Sequence, residues 1–387
     1  MRHHNSLIHQ LLKPVPWGAF DRLVDKHEAD KHVRTLSTKS QFVALVHAQL
    51  SGATSLREIE ATMESHAARL YHLGVSAPKR STLADANRQR PADVFVELFQ
   101  VLLAQAHPSL RRNTKEAVRL IDSTSISLNN FSTDWASYES HSPGAKMHVV
   151  YDPNAATPVH FAITPQRNSD IGTAKGMPIE SGATYVFDLG YYDFAWWAKL
   201  MSKDCRFVTR LKTHTKTTLV AERALAPDVI ARGRVVMDRT VRLHGRLKNT
   251  RQHPLKCDLR EVHVIIDTGK KLRIVSNDLV SPAEEIADLY KTRWQIELFF
   301  RWVKQNLRIK KFLGTSENAV RIQLAVAMIA YLLLRMAHAR QDAVKAPVTF
   351  ARLVRSNLMH FKTIHDLAVP EPPPRETMPN QLHLVFQ

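Results

Sequence analysis

Cys205 and Cys257 are the only two cysteines in 387 residues. They do not form a CxxC pair, which argues against a zinc ribbon or a disulfide framework and fits a reduced compartment. No stretch stays apolar for the roughly 20 residues a bilayer requires. The longest, Leu324–Leu334, reads as a buried helix. Met1-Arg2-His3-His4-Asn5 lacks the apolar core of a signal peptide, and no internal repeat is present. Acidic residues are also scarce: 36 Asp and Glu against 54 Lys and Arg give a formal charge of +18. A small-molecule enzyme has no need of that excess. A polyanion partner does, because neutralising phosphates releases counterions. Nucleic acid is therefore the expected partner and a membrane is not. A cytoplasmic, nucleoid-associated location is expected with it.

The chain is too long for one typical domain, and its 44% hydrophobic content can bury a sizeable core. Residues 1–110 read as helical. Phe42–Leu50 is apolar at helical spacing, with Gly52 to close it. Ser55-Leu56-Arg57-Glu58 is a capping box opening a helix to about Leu73, ended by Gly74. A short helix follows Lys79-Arg80 and stops before Pro91; Val94–Ala106 forms another. Leu56–Arg90 reads equally as a helix-turn-helix presenting Arg80, Ser81, Thr82, Asn87, Arg88 and Arg90 to DNA, or as an ordinary bundle with a polar surface.

From Val118 the period changes. Val118–Leu128, Lys146–Tyr151 and Val159–Thr164 read as strands, with a turn at Asp152-Pro153-Asn154. A short helix over Ser169–Met177, a strand at Tyr185–Asp188, a helix over Phe194–Lys203 and a strand at Arg206–Leu211 complete an α/β order with a mixed sheet. Residues 213–280 alternate in the manner of strands and read as a β-rich insertion. Ser281-Pro282-Ala283-Glu284 offers an N-cap, an N1 proline and a capping glutamate for one long helix. Ala319–Arg340 is a further helix, and Pro370–Pro374 marks an extended tail.

The most informative pattern lies on that long helix. Tyr290, Arg293, Glu297 and Lys304 fall within about 60° of one another on a helical wheel. Ile296, Phe299, Phe300 and Val303 occupy the adjoining arc. An apolar stripe can thus anchor the helix while a carboxylate able to hold metal and cations able to hold phosphate project together. Two-metal phosphoryl transfer needs several convergent carboxylates. Asp122, inside the first strand, and Asp188, at the end of a later one, are the expected partners of Glu297, because acids among buried strand residues are costly unless paired or metal-bound. Asp193 reads instead as a helix cap.

These residues resemble the DDE transposases of the insertion-sequence-four family. The signature Y-(2)-R-(3)-E-(6)-K is matched without a gap by Tyr290, Arg293, Glu297 and Lys304. The first aspartate is followed by Ser or Thr, as in Asp122-Ser123-Thr124, and the second opens D-x-G-Y, as in Asp188-Leu189-Gly190-Tyr191. The resemblance covers about residues 115–340. It implies an RNase H-like core in two parts, 111–212 and 281–345, around the β-rich insertion 213–280. A helical DNA-binding domain at 1–110 and a tail at 346–387 flank it. It implies catalytic Asp122, Asp188 and Glu297 binding two Mg²⁺ ions, with Mn²⁺ as a substitute. Tyr290, Arg293 and Lys304 would grip phosphates. Arg210 and Lys212, just after a core strand, read equally as further backbone contacts or as surface charge, and Arg80 and Arg88 are the contacts expected if the helical domain is a helix-turn-helix. The implied partners are the terminal inverted repeats, target DNA and a second copy of the chain in a synaptic complex.

One departure bears on mechanism. Relatives stack a flipped base on an insertion-domain tryptophan, whereas residues 213–280 contain no Trp, Tyr or Phe. Trp294, His244 and Arg246 are the candidate substitutes. Two other readings use the same residues: an RNase H-like nuclease without strand transfer, and a catalytically silent DNA-binding regulator.

Overall fold

The computed structural model describes residues 6–110, 116–128, 144–244, 253–307, 309 and 311–369. The first 110 residues are helical: α1 Leu7–Leu12, α2 Trp17–Lys26, α3 Thr38–Ser51, α4 Leu56–Ser65, α5 Ala67–Leu70, α6 Arg80–Gln89 and α7 Asp93–Leu110. Ser37 caps α3 by accepting from the Ser40 amide, and Gly52 ends it with φ of 81°, a left-handed conformation that favours glycine. Ser55 caps α4 through the Glu58 amide. Glu58, however, turns its carboxylate to the Thr54 amide at 2.7 Å instead of completing the capping box. The helix expected to run to Leu73 stops at His66, whose Nδ1 lies 2.9 Å from the Thr62 carbonyl.

Two of the residues expected to face DNA from this region are buried. Asn87 accepts from Gln41 at 2.8 Å, and Arg90 donates to Gln41 at 3.0 Å and to the Leu36 carbonyl. Their polar groups are consumed in holding α6 to α3.

The remaining chain builds one nine-stranded sheet. Its strands are β1 Val118–Ser127, β2 Gly144–Asp152, β3 Thr157–Pro165, β4 Thr184–Phe187, β5 Arg206–Arg210, β6 Thr217–Glu222, β7 Val235–Leu243, β8 Leu259–Ile265 and β9 Lys271–Ser276, in the spatial order β3-β2-β1-β4-β5-β9-β8-β7-β6. β1, β4 and β5 run parallel, and the other pairings are antiparallel. Between strands lie α8 Asp170–Ala174, a 3₁₀ turn at Leu189–Tyr191, α9 Phe194–Met201 and α10 Pro227–Arg232. Residues 213–280 do supply strands, but these extend the core sheet through the β5–β9 pair, Val208 opposite Ser276.

The extension is locked by buried ion pairs. Glu261, fully buried, is held by His263 at 2.7 Å, Arg273 at 2.6 Å and Arg239 at 3.2 Å. Asp238 pairs with Arg260 at 2.7 Å.

After the sheet come α11 Ala283–Thr292, α12 Trp294–Asn306, α13 Glu317–His338 and α14 Pro347–Asn357. Pro282, not Ser281, is the cap residue of α11; the Ser281 amide is held by Asp278 at 2.9 Å. The long helix expected here is two. At Arg293 the bonding tightens to i→i+3, with Arg293 N–H on the Tyr290 carbonyl and Ile296 N–H on the Arg293 carbonyl. Thr292 Oγ1 donates to the Leu289 carbonyl at 2.6 Å, competing with the helical amide. The expected tail contains α14, and Pro370–Pro374 lies outside the described residues.

Helices cover both faces of the sheet. Leu120, Val186 and Val208 join one core with α12, α13 and the N-terminal helices. Ile121, Phe187 and Phe207 join another with Trp196 and Trp197 of α9. α13 is apolar and long enough to cross a membrane, yet it is buried inside the protein along most of its length.

Candidate active site

Strand alternation and register set the site. Leu120 pairs with Val186 and Ile121 with Phe187 in the parallel β1–β4 ladder. Asp122 and Asp188 each follow by one residue. They therefore sit at the same level and project to the face that Leu120 and Val186 share, because side chains two apart point the same way. Asp122 Oδ1 accepts from the Ser123 amide and Asp188 Oδ1 from the Gly190 amide, both at 2.8 Å.

α11 and α12 cross that face. Arg293, at their junction, places one Nη 2.5 Å from Glu297 Oε1 and the other 3.6 Å from Asp122 Oδ2. Its guanidinium also lies 6.0 Å from the centre of the Tyr290 ring. Tyr290 is buried and feels the charges of Arg210, Arg293 and Asp188. The break between the helices thus leaves Tyr290, Arg293 and Glu297 together with Asp122 and Asp188, and Arg210 joins them from the end of β5. Lys304 is half-buried, two turns beyond Glu297 on α12.

Burial pushes the Asp122 carboxyl up to about 7; Asp188 and Glu297 add to the shift, while the Ser123 amide and Arg293 oppose it. A desolvated carboxylate among like charges favours a nearby cation. Among the described residues no three metal-ligating side chains are spaced around one ion; the Arg293 guanidinium stands between Asp122 and Glu297.

The other expected contacts lie apart. Lys212 rests its ammonium 4.6 Å from the centre of the Tyr192 ring. Arg80 opens α6 and Arg88 pairs with Asp85, both exposed on the helical region. Trp294 is half exposed, at a cavity of about 250 Å³ shared with Ile265, Ile266, Leu272 and Arg234. His244 is exposed at the end of β7, and Arg246 lies outside the described residues. Asp193 caps α9 by accepting from the Trp196 amide.

Asp170, on α8, accepts from Ser123 Oγ at 2.7 Å. In the sequence it reads as the first residue of a short helix after a Ser cap; only the fold turns it towards Ser123.

Residues 113–333 match the family described as the Transposase DDE domain. The chain is a DDE transposase. It is an enzyme of DNA cleavage and strand transfer, and DNA transposition is its function. Residues 3–76 match a domain of unknown function, DUF4372. The putative transposase y4zB of Sinorhizobium fredii is 41% identical over 302 residues, spanning 77% of this transposase and 82% of the relative. A probable transposase for insertion sequence element IS5377 of Geobacillus stearothermophilus is 30% identical over 258 residues, 66% of each chain. A piggyBac transposase in a synaptic complex with hairpin DNA aligns over 93% of this transposase and 82% of that chain, with 13% identity and a TM-score of 0.42.

Proposed function

We propose that Asp122, Asp188 and Glu297 are the catalytic acids of this transposase, on an RNase H-like core of the insertion-sequence-four type. The observation that supports this best is the parallel register of β1 with β4, which sets Asp122 and Asp188 side by side under Arg293 and Glu297. Three carboxylates are a hard-oxygen donor set suited to Mg²⁺, with Mn²⁺ able to replace it. Two such ions would activate the attacking oxygen and stabilise the leaving one. The raised Asp122 carboxyl fits that role, because a cation offsets the cost of its charge.

The chain's own part is to hold and align DNA. Arg293 suits bidentate contact with a phosphate next to the cut, and Lys304 offers a point charge. Tyr290 is the third clamp. Arg210 extends this cationic edge, and Lys212, Arg80 and Arg88 contact backbone further out. Water attacks at the element end and frees a 3′-hydroxyl, which attacks the opposite strand or the target, with no covalent enzyme intermediate. The β6–β9 extension takes the place of the insertion. Trp294 is the candidate partner for an extruded base. A pair of chains would bring the two inverted repeats together at the nucleoid. Purified protein, element ends and Mg²⁺ should yield nicks at the element boundary and joined products on a target plasmid; wild-type cutting by Asp188→Asn would overturn the assignment.

A further inference from the structure

Behind the acids of the proposed centre, a second set of polar groups converges. Asp170 Oδ1 accepts from Ser123 Oγ at 2.7 Å and from Lys146 Nζ at 3.2 Å. The fully buried His148 brings its Nδ1 to 3.7 Å from the same oxygen. Ser123 works at both ends: its amide donates to Asp122 Oδ1 while its hydroxyl donates to Asp170. Lys146, Asp170, Ser123 and Asp122 therefore form one continuous polar chain, although Asp122 and Ser123 project to opposite faces of β1.

The other Asp170 oxygen lies beside Gly190, two residues after Asp188. A methyl group built on Gly190 would lie 3.0 Å from Asp188 Oδ1 and 3.4 Å from Asp170 Oδ2. A side chain at Gly190 would therefore press on the Asp188 carboxylate and touch that of Asp170. Tyr191 supplies an independent sign. Its hydroxyl is buried beside Ser123 without a well-formed hydrogen bond, within the fields of Asp122, Asp170 and Asp188. Buried hydroxyls ordinarily have partners, and a hydrated cation among these acids would satisfy this one.

We propose that Asp170 is a positioning residue of the catalytic centre: through Ser123 it fixes the Asp122 carboxylate for the metal, and its second oxygen adds negative charge beside Asp188. This rests on the reading of Asp122, Asp188 and Glu297 as metal ligands. Groups that orient metal ligands typically change metal affinity or activity 10–100-fold when removed.

The test is a Mn²⁺ titration of the full chain, read both as a shift in melting temperature and by calorimetry, with affinity for an element-end DNA duplex measured in parallel. Asp170→Asn should raise the Mn²⁺ midpoint about 10–100-fold, leave DNA affinity unchanged, and recover cleavage at saturating metal. Ser123→Ala should move the midpoint the same way by less, and Ser123→Thr, which keeps the hydroxyl, should restore it. If Asp170 serves only to partner Lys146, Asp170→Asn will lower the metal-free melting temperature and leave the midpoint in place, which overturns the proposal. Should Asp170→Asn fail to fold, the Ser123 pair decides the matter. Asp188→Asn separates the two levels. A wild-type midpoint in Asp188→Asn sinks the metal-site reading itself. Loss of metal response in Asp188→Asn with a wild-type midpoint in Asp170→Asn sinks only the role of Asp170.

Discussion

Glu261 and Asp122 are both sheet carboxylates removed from water, and their surroundings treat them in opposite ways. Burial works against ionising Glu261, yet hydrogen bonds from His263 and Arg273, with the charges of Arg273 and Arg239, hold it down at about 2. Burial also dominates at Asp122, but there Asp188 and Glu297 reinforce it and one shared guanidinium offsets only part, so the carboxyl stands at about 7. Two guanidiniums and an imidazole around one acid close a structural cluster. At Asp122 two further acids act against the one guanidinium that reaches it, and the carboxyl stays raised. The contrast separates an acid that holds the sheet together from the acids proposed as catalytic.

The sharpest way to break that contrast is to neutralise one acid of each kind. Asp188→Asn should reduce DNA cleavage by on the order of 10³-fold in a gel assay while its melting temperature stays near wild type. Glu261→Gln should do the reverse. Its half-buried partners Arg239 and Arg273 would lose their carboxylate, at a cost of about 2–3 kcal/mol seen by calorimetry, with the metal requirement of cleavage unchanged. Cleavage lost equally in both variants would erase the distinction.

Acidity tests it next. The folded Asp122 carboxyl stands above its ordinary value, so the folded chain binds a proton more tightly than the unfolded chain between about pH 4 and pH 7. Ionisation then destabilises the metal-free fold, with the penalty absent below about pH 4 and complete above about pH 7. Asp122→Asn should stabilise the metal-free protein by about 2–4 kcal/mol at pH 8 and by almost nothing at pH 4. Divalent metal should shrink the pH 8 difference. A gain that persists at pH 4 would mean that packing, not charge, is responsible.

Smaller effects are expected on DNA. Lys304→Ala should weaken binding to any duplex several-fold and lower the slope of log affinity against log salt by about one. Arg80→Ala should weaken binding by about twofold with no loss of stability, since it is an exposed backbone contact at most. Arg90→Ala, although only ten residues away, should instead unsettle the helical region, because Arg90 bonds Gln41 and the Leu36 carbonyl.

The opposite fates of Arg80 and Arg90 show where sequence reading stops. Periodicity locates α3, α7, β1–β5 and α13 closely, because each carries an apolar run or alternation along much of its length. It does not separate the arginines at the two ends of α6, Arg80 and Arg90, since both are polar at helical spacing and only packing against α3 buries one of them. The break at Arg293 was hidden because Thr292 competes for a carbonyl without disturbing the apolar stripe. α14 could have been found: Pro347 sits at the helix start, and Phe350, Val354 and Leu358 recur every four residues. The convergence of Asp122, Asp188 and Glu297 follows from spacing and neighbours that form a pattern. The place of Asp170 does not, since its approach to Ser123 depends on how α8 folds back over β1.

α13 carries a consequence of timing. It packs against α3, α6 and α7 and also against β3, so the first helical layer and the sheet share one apolar core. About 200 residues separate the end of α7 from the start of α13. At 5–20 residues per second, the N-terminal helices would wait on the order of 10–40 s on the ribosome before their principal partner emerges. During that interval their apolar faces must be shielded by one another or by a chaperone. The amount of active transposase a cell makes would then depend on protecting the nascent chain as well as on how often its message is read.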